Sequence, residues 1–181
     1  MPFVIPVFIP HRGCPHDCLF CNQQKISGVS RELLQTGEVS KTIELWLTRK
    51  RGSAAVQVAF FGGSFTCMDL DQQQALLEEV QPYIRRGEVD SIRCSTRPDC
   101  IDQELCAFLV KHHVRTVELG VQSLSDTVLQ NSRRGHTASD CRIASQLLQT
   151  AGLELGIQLM PGLPGETTVS FLKTIKSVIE I

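Results

Sequence analysis

Short apolar runs, rich in β-branched and aromatic residues, alternate along the chain with longer stretches in which apolar residues recur at helical spacing. The short runs end at glycine, proline or polar residues, which is typical of strands, and the longer stretches indicate amphipathic helices. The predicted strands cover residues 3–9, 55–61, 91–95, 115–121 and 153–160. The predicted helices cover residues 39–50, 69–84, 102–112, 126–130, 139–150 and 168–181, with Ser40 or a neighbour and Asp102 as N-caps.

This alternating order predicts an α/β fold in which parallel strands are joined by helices. Residues 56–61 form a near-continuous apolar run, as expected of a parallel strand that is buried on both faces. Polar, glycine-rich segments follow the strands, so we expect them to meet at the carboxyl edge of the sheet, where such folds place their chemistry. The chain ends in a helix-forming run with no strand after it, and the pattern therefore predicts five βα units.

Composition and charge narrow the class of protein. The chain has 181 residues, of which 42% are apolar and 20% are charged, values typical of a globular domain with a real core. A formal net charge of −1 excludes a global basic field that would attract nucleic acid, and the basic clusters at 49–51, 85–86 and 133–134 are interpreted as solvated helix ends. No apolar run approaches the roughly 18 residues of a membrane helix, and the N-terminus lacks the basic region of a signal peptide. We therefore expect a cytoplasmic protein with no membrane partner.

Eight cysteines are many for such a chain, and three of them are clustered in the segment Cys14-Pro15-His16-Asp17-Cys18-Leu19-Phe20-Cys21. Three thiolates in one loop suit an iron–sulfur cluster or zinc. Spacing alone leaves open a zinc site completed by His11 or His16. No fourth cysteine stands nearby, so one iron of a cubane cluster would be left for an outside ligand. The scattered cysteines are predicted to be small buried hydrophobic residues, and these are Cys67, Cys94, Cys100, Cys106 and Cys141.

Further motifs follow the later strands. Phe61-Gly62-Gly63-Ser64-Phe65-Thr66 is a glycine turn that lets backbone approach a ligand closely. The others are Ser95-Thr96-Arg97-Pro98-Asp99, Glu118-Leu119-Gly120-Val121-Gln122-Ser123, Arg134-Gly135-His136-Thr137 and Gln158-Leu159-Met160-Pro161-Gly162-Leu163-Pro164-Gly165. Together with the cysteine triplet, these segments resemble the radical S-adenosylmethionine (SAM) superfamily. They are most similar to the radical SAM domain of the elongator catalytic subunit family, which modifies wobble uridines in tRNA, and more distantly similar to oxygen-independent coproporphyrinogen oxidase.

The resemblance implies a partial TIM-like (β/α) barrel, of which five βα units are present and the sixth strand is missing. Residues 1–181 would then be a radical SAM core domain truncated at its C-terminal end. It also implies that Cys14, Cys18 and Cys21 bind three irons of a [4Fe-4S] cluster whose fourth iron binds SAM. The implied activity is reductive cleavage of SAM to a 5′-deoxyadenosyl radical, with an electron donor such as flavodoxin or ferredoxin.

The resemblance also implies residues that contact SAM. Phe20 matches the aromatic residue near the adenine, and the Gly62-Gly63 backbone, with Ser64 after it, matches the segment that binds the amino group. Ser64 departs from the glutamate that many members have there. The remaining implied contacts are Ser95 and Gln122 at the ribose, Arg134 (or else Arg133) at the carboxylate, and Gln158 and Met160 beside the adenosine.

The substrate and the catalytic residues stay open at this point. Glu118 lies within an apolar strand and is expected to point into the barrel mouth or to be paired. His11, His16 and His136 are candidates for proton transfer or substrate contact. The resemblance makes tRNA a possible substrate, and a small molecule such as a porphyrin precursor is the alternative. A zinc-binding or electron-transfer module without SAM chemistry is the competing reading of the cysteine triplet.

Overall fold

The computed structural model describes residues 2–9, 14, 16–21 and 36–181 of the chain. Within them, five parallel strands form one sheet in the order β1-β2-β3-β4-β5. The strands are β1 (Phe3–Phe8), β2 (Val56–Phe61), β3 (Ser91–Thr96), β4 (Val114–Gln122) and β5 (Glu154–Leu159). The helices are α1 (Glu38–Leu47), α2 (Leu70–Arg85), α3 (Gln103–Lys111), α4 (Asp126–Asn131), α5 (Ala138–Thr150) and α6 (Thr168–Ile179). The predicted α/β fold with parallel strands is therefore confirmed.

The starts of two helices test the predicted caps. The Asp102 carboxylate accepts a hydrogen bond from the Leu105 backbone N–H at 2.7 Å, as predicted for the cap of α3. The cap predicted for α1 was placed too late, because Ser40 lies inside that helix. The helix begins at Glu38 after Gly37, whose φ of 91° is the left-handed conformation that glycine adopts readily.

The sheet has two faces of opposite character. Alternate strand residues point to opposite sides, and on the helix-covered side they form one core with residues of the surrounding helices. We call this side the apolar face; it includes Val58, Phe60, Ile92, Val117 and Leu119. The strand register aligns Gln57 with Ser91, Arg93 with Thr116, and Ser95 with Glu118 on the other side. We call that side the polar face, and its polar residues are Gln57, Ser91, Arg93, Ser95, Thr116, Glu118, Glu154 and Gln158.

Two of the scattered cysteines are not the isolated buried thiols that the sequence suggested. Cys67 and Cys100 form a disulfide with an S–S distance of 2.10 Å and a Cα–Cα distance of 5.2 Å. It joins the 3₁₀ turn after β2 to the 3₁₀ turn after β3. Thirty-three residues separate the two cysteines, so only the folded sheet brings them together. The remaining scattered cysteines are buried as predicted, and these are Cys94, Cys106 and Cys141.

No helix in the part of the chain that the structure describes is both long and apolar enough to cross a membrane.

Candidate functional site

The cysteine loop lies against the segments that follow β3 and α4. Cys18 is buried, Cys14 and Cys21 are half-buried, and all three are thiols rather than disulfide sulfurs. The Cys21 backbone N–H donates to the Cys18 carbonyl at 3.0 Å. The Leu19 backbone N–H donates to the Ser132 carbonyl, just after α4, at 3.1 Å. These bonds turn the loop back on itself and attach it to the α4–α5 connection.

Arg97 places a positive charge at two of the three sulfur atoms. Its Nη1 lies 3.9 Å from the Sγ of Cys14 and 3.9 Å from the Sγ of Cys18. The side chain follows β3 and is only 1% exposed. Burial lowers the pKa of Arg97, but hydrogen bonding to Asp99 and the charges of Asp99, Cys14 and Cys18 outweigh it, and the pKa stays above its ordinary value. Cysteines bind metals as thiolates, so metal binding here would place negative charge next to this fixed cation.

Asp99 connects the same arginine to the cysteine loop. Its carboxylate accepts from Arg97 Nε at 3.0 Å and lies 3.0 Å from His16 Nε2. Burial alone would raise the pKa of Asp99. The hydrogen bond and charge of Arg97 outweigh this effect, so the pKa of Asp99 lies below its ordinary value. Gly135 packs against the other side of His16: a Cβ at this glycine would come within 2.2 Å of the ring. His16 is therefore held by its partners in the protein.

His136 is buried between the α4–α5 connection and the end of β4. Its Nε2 lies 3.2 Å from the Val121 carbonyl, and its Nδ1 lies 3.8 Å from the Asp99 carboxylate. Burial, together with the charges of Arg134 and Arg97, lowers the pKa of His136 to about 4. The ring is therefore neutral near pH 7.

Arg134 and Phe20 lie together beside Cys18. Arg134 Nη1 is 3.6 Å from the Cys18 Sγ, and its Nη2 donates to the Gly120 carbonyl at 2.6 Å. Its guanidinium carbon lies 5.9 Å from the centre of the Phe20 ring. Arg133, the alternative considered for the same role, is exposed. Of the two arginines, Arg134 is the one that the fold brings to the cysteines.

The Gly62-Gly63-Ser64 turn brings the end of β2 close to the segment after β1. Gly62 has a φ of 96°, and a Cβ there would lie 2.9 Å from the Ile9 carbonyl oxygen, so a side chain does not fit. Ser64 is buried, and the Ser64 carbonyl accepts a hydrogen bond from the Cys67 backbone N–H at 3.0 Å. The turn is thus narrow and presents backbone rather than side chains.

Gln122, Gln158 and Met160 meet where β4 and β5 end. The Gln122 Nε2 lies 3.5 Å from the Gln158 Oε1, and the Met160 backbone N–H donates to the Gln122 carbonyl at 3.0 Å. Gln122 has a φ of 68°, an uncommon conformation for a residue other than glycine. Gly120 packs against this cluster, since a Cβ there would lie 2.9 Å from Arg134 Nη2 and 3.1 Å from Gln122 Nε2.

Ser95 and Glu118 lie deeper, on the polar face. The Ser95 hydroxyl donates to Glu118 Oε2 at 2.9 Å, and Arg93 Nη1 donates to Glu118 Oε1 at 2.9 Å. Glu118 is thus paired, which was one of the two expectations for it.

The residues present suit an iron–sulfur cluster with SAM better than zinc. His16, one candidate for the fourth zinc ligand, is paired with the Asp99 carboxylate. His11, the other candidate, lies outside the described residues. Buried side-chain atoms at the site that have no hydrogen-bond partner in the protein include Gln122 Oε1, Arg134 Nε and His136 Nδ1. A polar ligand such as SAM would give them partners.

Arg97 and Asp99 are the site residues that sequence reasoning left without a role. The family resemblance implies a role for Ser95, the first residue of their motif, and none for Arg97 or Asp99. The available signal was a charged pair directly after a buried strand, at the edge where the chemistry of such folds gathers.

The chain is similar to known proteins in sequence and in fold. A tRNA uridine(34) acetyltransferase of Methanocaldococcus jannaschii is 30% identical over 145 residues, covering 69% of this chain and 26% of that protein. The solved structure of the archaeal Methanocaldococcus infernus Elp3 superposes with a TM-score of 0.72 at 21% identity, covering 98% of this chain and 42% of that one. Coproporphyrinogen III oxidase (HemN) from Escherichia coli superposes with a TM-score of 0.68 at 21% identity, covering 99% of this chain and 42% of that one.

These likenesses show that the fold is the TIM-like partial barrel of radical SAM proteins. The chain spans about a quarter of the length of the curated acetyltransferase that it matches. The sequence profile of the family described as Radical SAM superfamily matches residues 8–178, nearly the whole chain. The chain therefore belongs to the radical SAM superfamily and is an enzyme of that family.

Proposed function

We propose that Cys14, Cys18 and Cys21 bind a [4Fe-4S] cluster and that the protein reductively cleaves SAM to a 5′-deoxyadenosyl radical. The observation that carries the proposal is the position of Cys14 and Cys18 against the buried guanidinium of Arg97, with the Arg134 guanidinium also beside Cys18. When bound, the cluster and SAM supply the electron and the radical that removes a hydrogen atom from a substrate. The protein's own part is to hold them, to orient SAM and to keep water out.

Two of the proposed SAM contacts, Gln122 and Arg134, carry buried polar atoms that have no partner in the protein. Arg134 Nε would bind the carboxylate, because a guanidinium pairs well with that group. Gln122 and Ser95 would face the ribose, and the narrow Gly62-Gly63-Ser64 turn would offer backbone to the amino group. The remaining proposed contacts are Phe20 at the adenine and Gln158 and Met160 beside the adenosine.

The experiment is anaerobic reconstitution with iron and sulfide, followed by incubation with SAM and dithionite. We expect about four irons and four sulfides per chain, with formation of 5′-deoxyadenosine measured by chromatography and mass spectrometry. Cys18→Ala should lose the cluster and the product. Cys106→Ala is the matched control, because Cys106 is a buried thiol on α3 that is remote from the cysteine loop. An intact cluster that yields no 5′-deoxyadenosine would contradict the proposal, and so would one zinc without sulfide.

The substrate proposal rests on the relatives. The acetyltransferase of Methanocaldococcus jannaschii acts on tRNA uridine according to its name. We propose tRNA as the substrate, residues 1–181 as a radical SAM core domain, and a flavodoxin or ferredoxin as the source of the electron. Transfer RNA should increase the rate of 5′-deoxyadenosine formation when it is added to the reconstituted protein. An increase with a porphyrin precursor but not with tRNA would favour the small-molecule alternative.

A further inference from the structure

Arg97 is a buried charge whose partners lie on three separate segments. A buried guanidinium is costly unless it is paired and its N–H groups are hydrogen-bonded. Arg97 Nε donates to Asp99, and Nη2 donates both to Asp99 and, through a short contact, to the Arg134 carbonyl. Nη1 is then directed at the sulfurs of Cys14 and Cys18. One side chain therefore joins the end of β3, the α4–α5 connection and the cysteine loop.

Asp99 adds a second attachment to the same loop. Its carboxylate holds Arg97 on one side and His16 Nε2 on the other, at 3.0 Å in each case. His16 lies between Cys14 and Cys18 in the sequence, so the loop is held both at its sulfurs and between them. Arg134 also reaches the loop, at the sulfur of Cys18.

We propose that Arg97, oriented by Asp99, is a positioning residue that fixes the cysteine loop and sets the reduction potential of the cluster bound there. This proposal rests on the proposed function. Hydrogen bonds and positive charge at the sulfur ligands stabilise the more negative, reduced state of an iron–sulfur cluster, so they raise its potential. Lysine cannot replace this arrangement, because its single ammonium group lacks the planar fork that spans two sulfurs and a carboxylate at once.

The charges of Arg97 and Asp99 predict the direction in which each variant shifts the reduction potential. Arg97→Gln removes the cation and should shift the potential of the reconstituted protein to a more negative value. Asp99→Asn removes the anion beside that cation and should shift the potential to a more positive value. Arg97→Lys should fall between the wild type and Arg97→Gln. A role in packing alone would not move the potential in opposite directions for two variants that loosen the same loop.

The experiment measures the full chain in two states. In the cluster-bound state, the potential is followed by electron paramagnetic resonance during redox titration. In the cluster-free state, hydrogen–deuterium exchange of residues 16–21 is followed by mass spectrometry, and Arg97→Gln and Asp99→Asn should both exchange several-fold faster than the wild type. Arg86→Gln is the matched control for loss of an arginine, because Arg86 is exposed and paired with Glu88 on the surface. It should change neither measurement.

The outcomes separate this proposal from the function on which it rests. If the wild type forms a cluster and cleaves SAM, but Arg97→Gln keeps both the wild-type potential and the wild-type exchange rate, this proposal alone is overturned. Shifts of the same sign in Arg97→Gln and Asp99→Asn would also overturn it. If Arg97→Gln does not take up iron, the exchange rate of the cluster-free protein still decides: unchanged exchange overturns the proposal, and faster exchange supports it.

Discussion

Glu118 and Leu119 are neighbours on β4, yet they lie on faces of the sheet that differ in almost every respect. Leu119 is fully buried in the core formed with the helices. The Glu118 side chain is 33% exposed and is held by Arg93 and Ser95. A parallel sheet normally carries apolar side chains on both faces, because helices cover both. Here the helix-covered face carries the apolar core, whereas the polar face keeps hydrogen-bonding groups around Ser95, one of the proposed SAM contacts.

Only some of the buried hydrogen-bonding atoms on the polar face have partners in the protein. Gln57 Nε2 lies 3.2 Å from both the Ser91 and the Thr116 hydroxyl, whereas Gln57 Oε1 and Arg93 Nε are buried without a partner in the protein. Unpartnered buried polar atoms destabilise a fold. The apolar face must therefore supply the stability that the polar face does not.

The largest expected effect comes from the apolar face. Leu119→Ala should lower the free energy of unfolding by about 4 kcal/mol, because it removes a fully buried side chain and leaves a cavity. Chemical unfolding followed by circular dichroism measures it. Leu45→Ala is the control, since Leu45 is 52% exposed on α1 and should cost much less. Equal losses in the two variants would show that the assignment of the core to this face is wrong.

The second effect is a pH dependence at the boundary of the apolar face, where His136 is buried against the Val121 carbonyl. The ordinary pKa of histidine is 6.5, whereas that of His136 in the folded protein is about 4. Between these values the unfolded chain binds more protons, so stability is complete above pH 6.5 and falls as the pH drops towards 4. The loss should reach about 3 kcal/mol. Asp99 does not interfere, because its pKa in the folded protein lies below its ordinary value of 3.8 and therefore below this pH window.

Chemical unfolding at a series of pH values between 4.5 and 7.5 measures this slope. His136→Gln removes the titrating ring but keeps an N–H donor for the Val121 carbonyl, so the slope should become much shallower. His113→Asn is the control, because His113 is exposed and its φ of 64° is one that asparagine tolerates. A wild-type slope in His136→Gln would refute the assignment.

The third effect concerns the edge that both faces share, where the disulfide between Cys67 and Cys100 ties two turns together. Its reduction should lower the free energy of unfolding by about 2 to 3 kcal/mol, because the unfolded chain loses a cross-link. Unfolding with and without a thiol reductant measures the difference. The double variant Cys67→Ser with Cys100→Ser should be insensitive to the reductant. Equal stability of the wild type in both conditions would argue against a stabilising role.

How much of this structure the sequence predicts depends on how far apart along the chain the interacting residues lie. Strands and helices follow from local periodicity, so their order and approximate bounds were predictable. Alternation within β4, with Glu118 next to Leu119, also indicated that one residue needed a polar partner. The identity of that partner was not predictable, because Arg93 lies on the neighbouring strand.

The contacts at the carboxyl edge were harder to predict for the same reason. Arg97 meets Cys14 and Cys18 across some eighty residues of sequence, and the disulfide joins two turns that only the folded sheet brings together. Spacing within the cysteine triplet indicated metal chemistry, but the charges around it depend on which loops pack together. The resemblance to a family supplied roles for Gln122 and Arg134, and it supplied none for Arg97.

The smallest expected effect comes from the polar face itself. Glu118→Gln removes one charge of the pair with Arg93 but keeps the shape of the side chain, and the pair is partly open to solvent. Screening limits the loss, so we expect about 1 kcal/mol in the free energy of unfolding. Glu88→Gln, which breaks the exposed pair with Arg86, is the control and should cost less than Glu118→Gln. A loss in Glu118→Gln as large as that in Leu119→Ala would mean that the polar face also carries the fold. A loss near 1 kcal/mol would mean instead that its polar groups can be altered with the fold intact.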